Sequence, residues 1–499
     1  MHVAQPTVHV EGGNPVPAGS SSTERRTVPD ILIDCARHRP AVSVLADADG
    51  IGLTAEELLD QVRRGAGLLA ERGVHRPALV CIDTVALSWA QVAVCYLSVV
   101  WRGAAAVLTA GGATERLARE QVGATHTLGG SGIAFAELIS SPALTGDPAA
   151  EPDDLLDIVF TSGTTGTPKP VASRHAQWAG LVRPELVASR TRRVVAHTGI
   201  PIAVSGGVHG VLLQHLARGV TSRHADTVAD LVTGARRSPV DELHLTPHAA
   251  RGLTLAVTPG ESWAARVAVI RIVGGPVPEG VAEALAERFP RARAVSVYAL
   301  TEGGAALCVK VIGRGNRDSV GRPVGETQVR ILDQDGRELP PGRIGELAVR
   351  DGDGGPLSYY RDDGLNREWF RDGWARTGDL GYLDATGEVR LVGRAKELLF
   401  LRGGRLPPEM VEEIMARRLP DVEFAVAGIP NPGGWDRIAA FVQGSADDPV
   451  VAEACRRLAA MTGPFRPEIV RVVPEIPRAP FGKPLRRELT ADLVPEANR

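Results

Sequence analysis

The sequence predicts an α/β protein, with a large N-terminal domain of α/β layers on parallel sheets, a small β-rich subdomain, and a small α+β C-terminal domain. Three observations predict it. From about residue 27 to 400, helical patterns alternate with short apolar runs, many of which end in glycines, the order expected of parallel strands covered by helices. Beyond residue 325 the pattern changes to short alternating segments, TQVRILD, IGELAVR and GEVRLVG, joined by DG and PG turns; these are signs of a β-rich unit. After VGRAKE, the last stretch has a helix and strand pattern of its own. A chain of 499 residues also exceeds what one ordinary core organises. The expected units are a disordered tail over 1–26, an N-terminal domain over 27–393 and a C-terminal domain over 394–499.

The elements follow in order. Apolar residues at helical spacing predict helices over Ala55 to Glu71 and Glu279 to Arg288. Strands are expected at LVCI (79–82), LLDIVF (155–160), RVVAH (193–197), VIRIV (269–273) and AVSVY (294–298). Thr84 to Trp101 is free of charge and just long enough to span a bilayer. It carries Thr84, Ser88, Gln91 and Ser98, so a buried core helix is expected instead. The C-terminal segment offers helices PEMVEEIMARR and VVAEACRRLAAM and strands FAVAGI, IAAFVQG and IVRVV.

Composition narrows the function classes. Apolar residues make up 44% and charged residues 23%, both globular values. A net charge of -3 argues against a dedicated nucleic-acid binder, which would carry a basic face. Five scattered cysteines without a CxxC pair suggest neither structural zinc nor a redox dithiol, and fit a reduced, cytoplasmic setting. The N-terminal stretch lacks the basic start and apolar core of a signal peptide and reads as a tail.

Of 56 basic residues only four are lysines: Lys169, Lys310, Lys396 and Lys483. Lysine is a compact charge on a flexible stem, whereas arginine is a rigid fork, so lysine marks places that need one small movable charge. Three of the four lie in Gly- and Pro-punctuated stretches, TSGTTGTPKP, VGRAKELLFLRGGR and PRAPFGKP. The first follows a predicted strand and is rich in Thr, Ser and Gly, so its backbone N–H groups and hydroxyls can converge on phosphate oxygens. It is not a Walker loop, because GxxxxGK[ST] cannot be laid on it. YALTE (298–302) supplies an aromatic face for a base, a hydroxyl, and a carboxylate able to hold Mg²⁺ against phosphate. In RTGDLGYLD, Asp379 sits between glycines, where its two oxygens suit the two hydroxyls of a ribose. Each taken singly also suits a turn or a helix cap; together they point to ATP.

The ordered motifs TSGTTGTPKPVASRH, GGPVPEG, VYALTE, SVGRPVG, WARTGDLGYLDATGEVRLVGRAKE and PRAPFGK resemble the adenylate-forming superfamily of acyl-CoA synthetases, aryl-acid ligases, luciferases and peptide-synthetase adenylation domains. The resemblance covers nearly the whole chain from about residue 27. It implies that Thr161, Ser162, Gly163, Thr164, Thr165, Gly166 and Lys169 hold the ATP phosphates, with Gly274 and Gly275 also on the nucleotide. Tyr298 would pack on adenine, Asp379 would bind the ribose, and Arg394 would contact the nucleotide. Thr301 and Glu302 would act on phosphate and Mg²⁺, and Lys483 would be the catalytic lysine. Lys396 falls at the hinge of a mobile C-terminal domain. The implied reaction turns a small-molecule acid into its acyl adenylate and passes it to an acceptor, CoA or a carrier-protein thiol, with no membrane span and no nucleic-acid partner.

Three positions depart from the pattern. The phosphate loop continues PKP rather than PKG, and Ala299 stands where a glycine is usual. In GIPIAVSGGVHG, Ala203 and Val204 occupy the places where many relatives have an aromatic residue and a His gate. The absence of an acidic residue there argues against an α-amino acid substrate, and the missing His puts ordinary thiol transfer in question. The expected substrate pocket comprises Ala203, Val204, Ser205, Gly206, His209, Ala299 and Gly303, with His209 able to stand in as a gate. Two alternatives stay open: a diazotase-like member that activates nitrite for coupling to an aryl amine, and a non-catalytic nucleotide-binding homologue.

Overall fold

Thr54 opens the first long helix because its hydroxyl accepts the Glu57 N–H while the Glu57 carboxylate accepts the Thr54 N–H, a reciprocal cap that satisfies groups the helix cannot. That helix runs Ala55–Glu71, as its periodicity predicts. The charge-free run becomes helix Trp89–Trp101, opened in the same way by Ser88 and Gln91. All of its residues except Ala90 and Gln91 are buried, so it is a core helix. Among the described residues no helix is long and apolar enough to cross a membrane.

The computed structural model describes residues 26–47, 52–161, 168–178, 180, 193–304, 306–313, 319–350, 357–402, 404–416, 418–419, 422–431, 433–479 and 482–493. One sheet orders its strands Ser358–Tyr359, Lys169–Arg174, Leu155–Thr161, Ala105–Thr109, Leu79–Asp83 and His126–Leu128. The last four are parallel, and the first two join antiparallel. A second sheet has a parallel run of Ser43–Ala46, Thr221–His224, Val195–Thr198, Glu242–Leu245, Val269–Val273 and Arg293–Ala299. The predicted strands are all present within a residue or two.

The β-rich subdomain differs from expectation in being an extension of this second sheet. Strand Ser319–Pro323 is shared: Arg322 and Pro323 pair with Ala306–Val311, while Ser319 and Gly321 pair with Val389–Arg394. The sheets are therefore mixed, because the chain adds antiparallel strands wherever a short turn replaces a crossover helix. The C-terminal segment has its own sheet, Phe424–Pro430, Asp436–Gln443 and Ile469–Val473, packed by helices Pro408–Ala416 and Pro449–Ala459 around Val411, Met415, Val426 and Leu458.

Buried histidines give the fold an acid sensitivity. His175 Nδ1 accepts the Val28 N–H at 3.1 Å, and its Nε2 is buried without a partner. Burial pushes the His175 and His197 rings down to about 4. Their folded values lie below the unfolded value near 6.5. Stability from keeping them neutral is therefore complete above about pH 6.5 and is lost as pH falls toward 4, by about 3 kcal/mol for each ring. We expect the urea midpoint to drop steadily over that window. A flat midpoint would show that neither ring is held neutral by folding.

Candidate functional site

The parallel strands of the second sheet all end on one side, where ligands gather in open α/β sheets. Strand Val269–Val273 ends in Gly274 and Gly275, and Gly274 takes φ +102, a conformation that disfavours any other residue. Strand Arg293–Ala299 runs into a single tight turn, Thr301–Gly303. From the first sheet, Leu155–Thr161 delivers Thr161. These ends open on a cavity of about 2630 Å³ whose walls also include the C-terminal segment.

Most of the predicted site residues meet there. Thr161, Lys169, Gly274, Gly275, Tyr298 and Ala299 line the cavity, with Thr301, Glu302, Asp379, Arg394, Lys396 and Lys483. Val204, Ser205, Gly206 and His209 line its inner part. Ala203 and Gly303 do not line it: Ala203 is buried, and a Cβ at Gly303 would meet the Leu307 and Leu300 side chains. Ser162, Gly163, Thr164, Thr165 and Gly166 lie outside the described residues.

Tyr298, Asp379 and Arg394 form one connected polar set. The Tyr298 hydroxyl donates to Asp379 Oδ2 at 2.6 Å, and Arg394 Nε forms an ion pair with Asp379 Oδ1 at 2.8 Å. Arg394 also donates to the Thr377 carbonyl at 3.0 Å, which fixes the guanidinium plane. Burial raises the Asp379 carboxyl, and Arg394 and Tyr298 only partly oppose that. The Tyr359 hydroxyl donates to Glu302 Oε1 at 2.8 Å, while Lys169 Nζ lies 5.1 Å from the Trp369 ring centre and 5.4 Å from that of Tyr359. Lys169 is thus held over two aromatic faces at the cavity wall.

Lys483 enters from the C-terminal segment and pairs with Glu397 at 2.6 Å. Burial alone would raise the Glu397 carboxyl, but Lys483 and Arg486 outweigh it and hold the group below its ordinary value. The loop is fixed on both sides: Ala479 N–H donates to the Lys483 carbonyl, and Arg478 donates to the Gly482 carbonyl. Gly482 has φ +80, and a Cβ there would meet His248 Cβ at 2.8 Å.

At the inner part Val204 is buried and brings no polar group. His209, one turn further on, is 2% exposed and stacks on Trp178 at 4.0 Å. Its Nε2 hydrogen-bonds Asp157 Oδ2 at 2.7 Å and its Nδ1 the Ser205 hydroxyl at 3.0 Å. Asp157 is fully buried and also accepts from Tyr96 at 2.7 Å and Ser173 at 2.6 Å. Burial would raise Asp157, yet His209 and these hydroxyls hold it lowered, so a charge in the core is fully paired. His209 is an anchored wall, not a loose gate.

Sequence reasoning missed Asp157, Trp178, Tyr359, Trp369 and Glu397. One signal was available, since a carboxylate inside the apolar run LLDIVF must find buried partners. Nothing local marks the others. No group of three or more metal-ligating side chains occurs among the described residues.

With this geometry, the comparisons with known proteins agree. Residues 111–360 match the family described as AMP-binding enzyme. The sulfoacetate–CoA ligase of Cupriavidus necator is 30% identical over 363 residues, covering 68% of each chain. A long-chain-fatty-acid–CoA ligase of Yersinia pestis is 33% identical over 235 residues, spanning 44% of this chain and 40% of that one. Among solved structures, o-succinylbenzoate CoA synthetase from Bacillus subtilis in complex with its acyl-adenylate intermediate superposes with TM-score 0.78 at 22% identity, over 92% of this chain and 98% of that one. McyG A-PCP complexed with phenylalanyl-adenylate gives TM-score 0.81 at 18% identity, over 95% and 96%. The fold is that of adenylate-forming enzymes, and the relatives are acid–CoA ligases. The chain belongs to the AMP-binding enzyme family. The comparisons support neither the nitrite-activating alternative nor the non-catalytic one.

Proposed function

We propose that this enzyme uses ATP to activate a small-molecule acid as its acyl adenylate and then passes the acyl group to a thiol, that of CoA or of a carrier protein, in the cytoplasm. The observation that carries the reading is the meeting of Lys483 with Lys169, Glu302 and Asp379 on one cavity, although they come from distant parts of the chain. Asp379 and Tyr298 take the ribose and base, and Thr161 with Ser162–Gly166 takes the phosphates. An oxygen of the acid carboxylate attacks the α-phosphorus, the bond to the leaving oxygen breaks, and pyrophosphate departs. Lys483 and Lys169 offset the charge that gathers on oxygens in that transfer. Glu302 has one oxygen accepting from Tyr359 and the other uncommitted to that bond, which fits a Mg²⁺ held by one carboxylate plus substrate phosphates. When bound, that ion neutralises phosphate charge. Residues 27–393 and 394–499 act as two units that swing about Lys396 between the half-reactions.

ATP–pyrophosphate exchange measured over a panel of carboxylic acids tests the first half. Exchange should depend on the acid, and adding CoA or a pantetheinyl carrier should then yield a thioester. ATP binding without exchange for any acid would overturn the reading.

A further inference from the structure

The inner wall of the cavity is charged. Strands Glu242–Leu245 and Val269–Val273 pair in parallel with His244 beside Arg271, so Glu242, His244 and Arg271 share a face. Arg218, at the end of helix Gln214–Arg218, joins them. Arg218 Nη2 lies 3.0 Å from Glu242 Oε1, His244 Nε2 lies 3.2 Å from Oε2, and Arg271 Nε lies 3.7 Å from Oε2. Arg218, His244 and Arg271 line the cavity, whereas Glu242 stands behind them.

The charges do not cancel. One carboxylate faces two guanidiniums. Burial holds the His244 and His215 rings below their ordinary value, so they add no charge near neutrality. Burial would raise Glu242, but His244 and Arg218 outweigh it and keep it ionised. Arg271 Nε makes no close hydrogen bond, because Glu242 Oε2 stands 3.7 Å away and is shared with His244, and the Arg271 side chain is 25% exposed toward the cavity. A half-buried guanidinium whose only carboxylate neighbour is shared and distant is better satisfied by a second anion. Arg271 precedes Gly274 by three residues, about 10 Å along the strand. Methylenes of a long acyl chain laid on this wall would desolvate its charges further.

Resting on the adenylating function proposed above, we propose that Arg271 and Arg218 form a subsite for a second anionic group, so that the substrate is a short acid carrying a terminal carboxylate or sulfonate besides the carboxylate that is activated.

The test is pyrophosphate exchange with matched short acids, each with and without a terminal carboxylate or sulfonate. The wild-type enzyme should favour the dianionic members by roughly 10²-fold in kcat/KM, the range of a charged hydrogen-bonded contact. The carboxylate and sulfonate arms identify which anion the wall takes. Arg271→Gln should collapse the ratio of dianion to monoanion, and Arg271→Lys should restore it in part. Preference for monoanionic apolar acids, or an unchanged ratio in Arg271→Gln, would overturn the subsite while leaving adenylation standing. No exchange with any acid would overturn both. Should Arg271→Gln fail to fold, the wild-type ratio and Arg271→Lys decide.

Discussion

Replacing Lys483 by Ala lowers acid-dependent pyrophosphate exchange by roughly 10²-fold or more, the scale for removing a charge contact aimed at a transition state. ATP affinity changes little, because Thr161, Tyr298 and Asp379 all precede residue 394 and remain in place. The fold should also survive: Glu397 loses its partner at 2.6 Å but keeps Arg486 at 3.9 Å, and the loop is tied by backbone contacts that Ala preserves. Lys483→Arg should recover only a fraction, since the planar fork differs in shape from an ammonium. Exchange rates and ATP titration of the same samples separate chemistry from binding. Near wild-type exchange in Lys483→Ala would remove the lysine from the mechanism.

Lys396→Pro should retain adenylate formation and suppress acyl transfer, on the order of tenfold or more if domain rotation becomes limiting. The substitution breaks no described backbone hydrogen bond. Ala395 N–H donates to Gly378 and Glu397 N–H to Arg394, while the Lys396 N–H serves no described hydrogen bond. A proline there locks φ and restricts Ala395, so the cost falls on rearrangement rather than on this arrangement. Single-turnover measurement of each half-reaction decides. Equal losses in both would mean that residue 396 is structural rather than a hinge.

Local chemistry was legible because it is written over neighbouring residues. The buried helix Trp89–Trp101 followed from a charge-free run, and the strands from their apolar spacing. Motif order singled out the candidate site residues, most of which line one cavity. The β-rich subdomain was recognised by its turns, but its merger with the second sheet was not. That depends on strand Ser319–Pro323 dividing its two edges between distant partners, and a pairing edge leaves no mark in a strand's own pattern.

By itself the sequence determined the class of fold and the family resemblance, since helix and strand periods and loop motifs act over a few residues. Only the tertiary structure decided how the candidate site residues are held. His209 meets Asp157 across 52 positions, Tyr359 meets Glu302 across 57, and Lys483 meets Glu397 across 86. The charged wall of Glu242, Arg218 and Arg271 arises in the same way, from strands and a helix that pack together. Such pairings form because buried charges must find partners in a medium of low dielectric. Which partner each one finds is set by the packing of whole elements, and that packing is not encoded in any single stretch of chain.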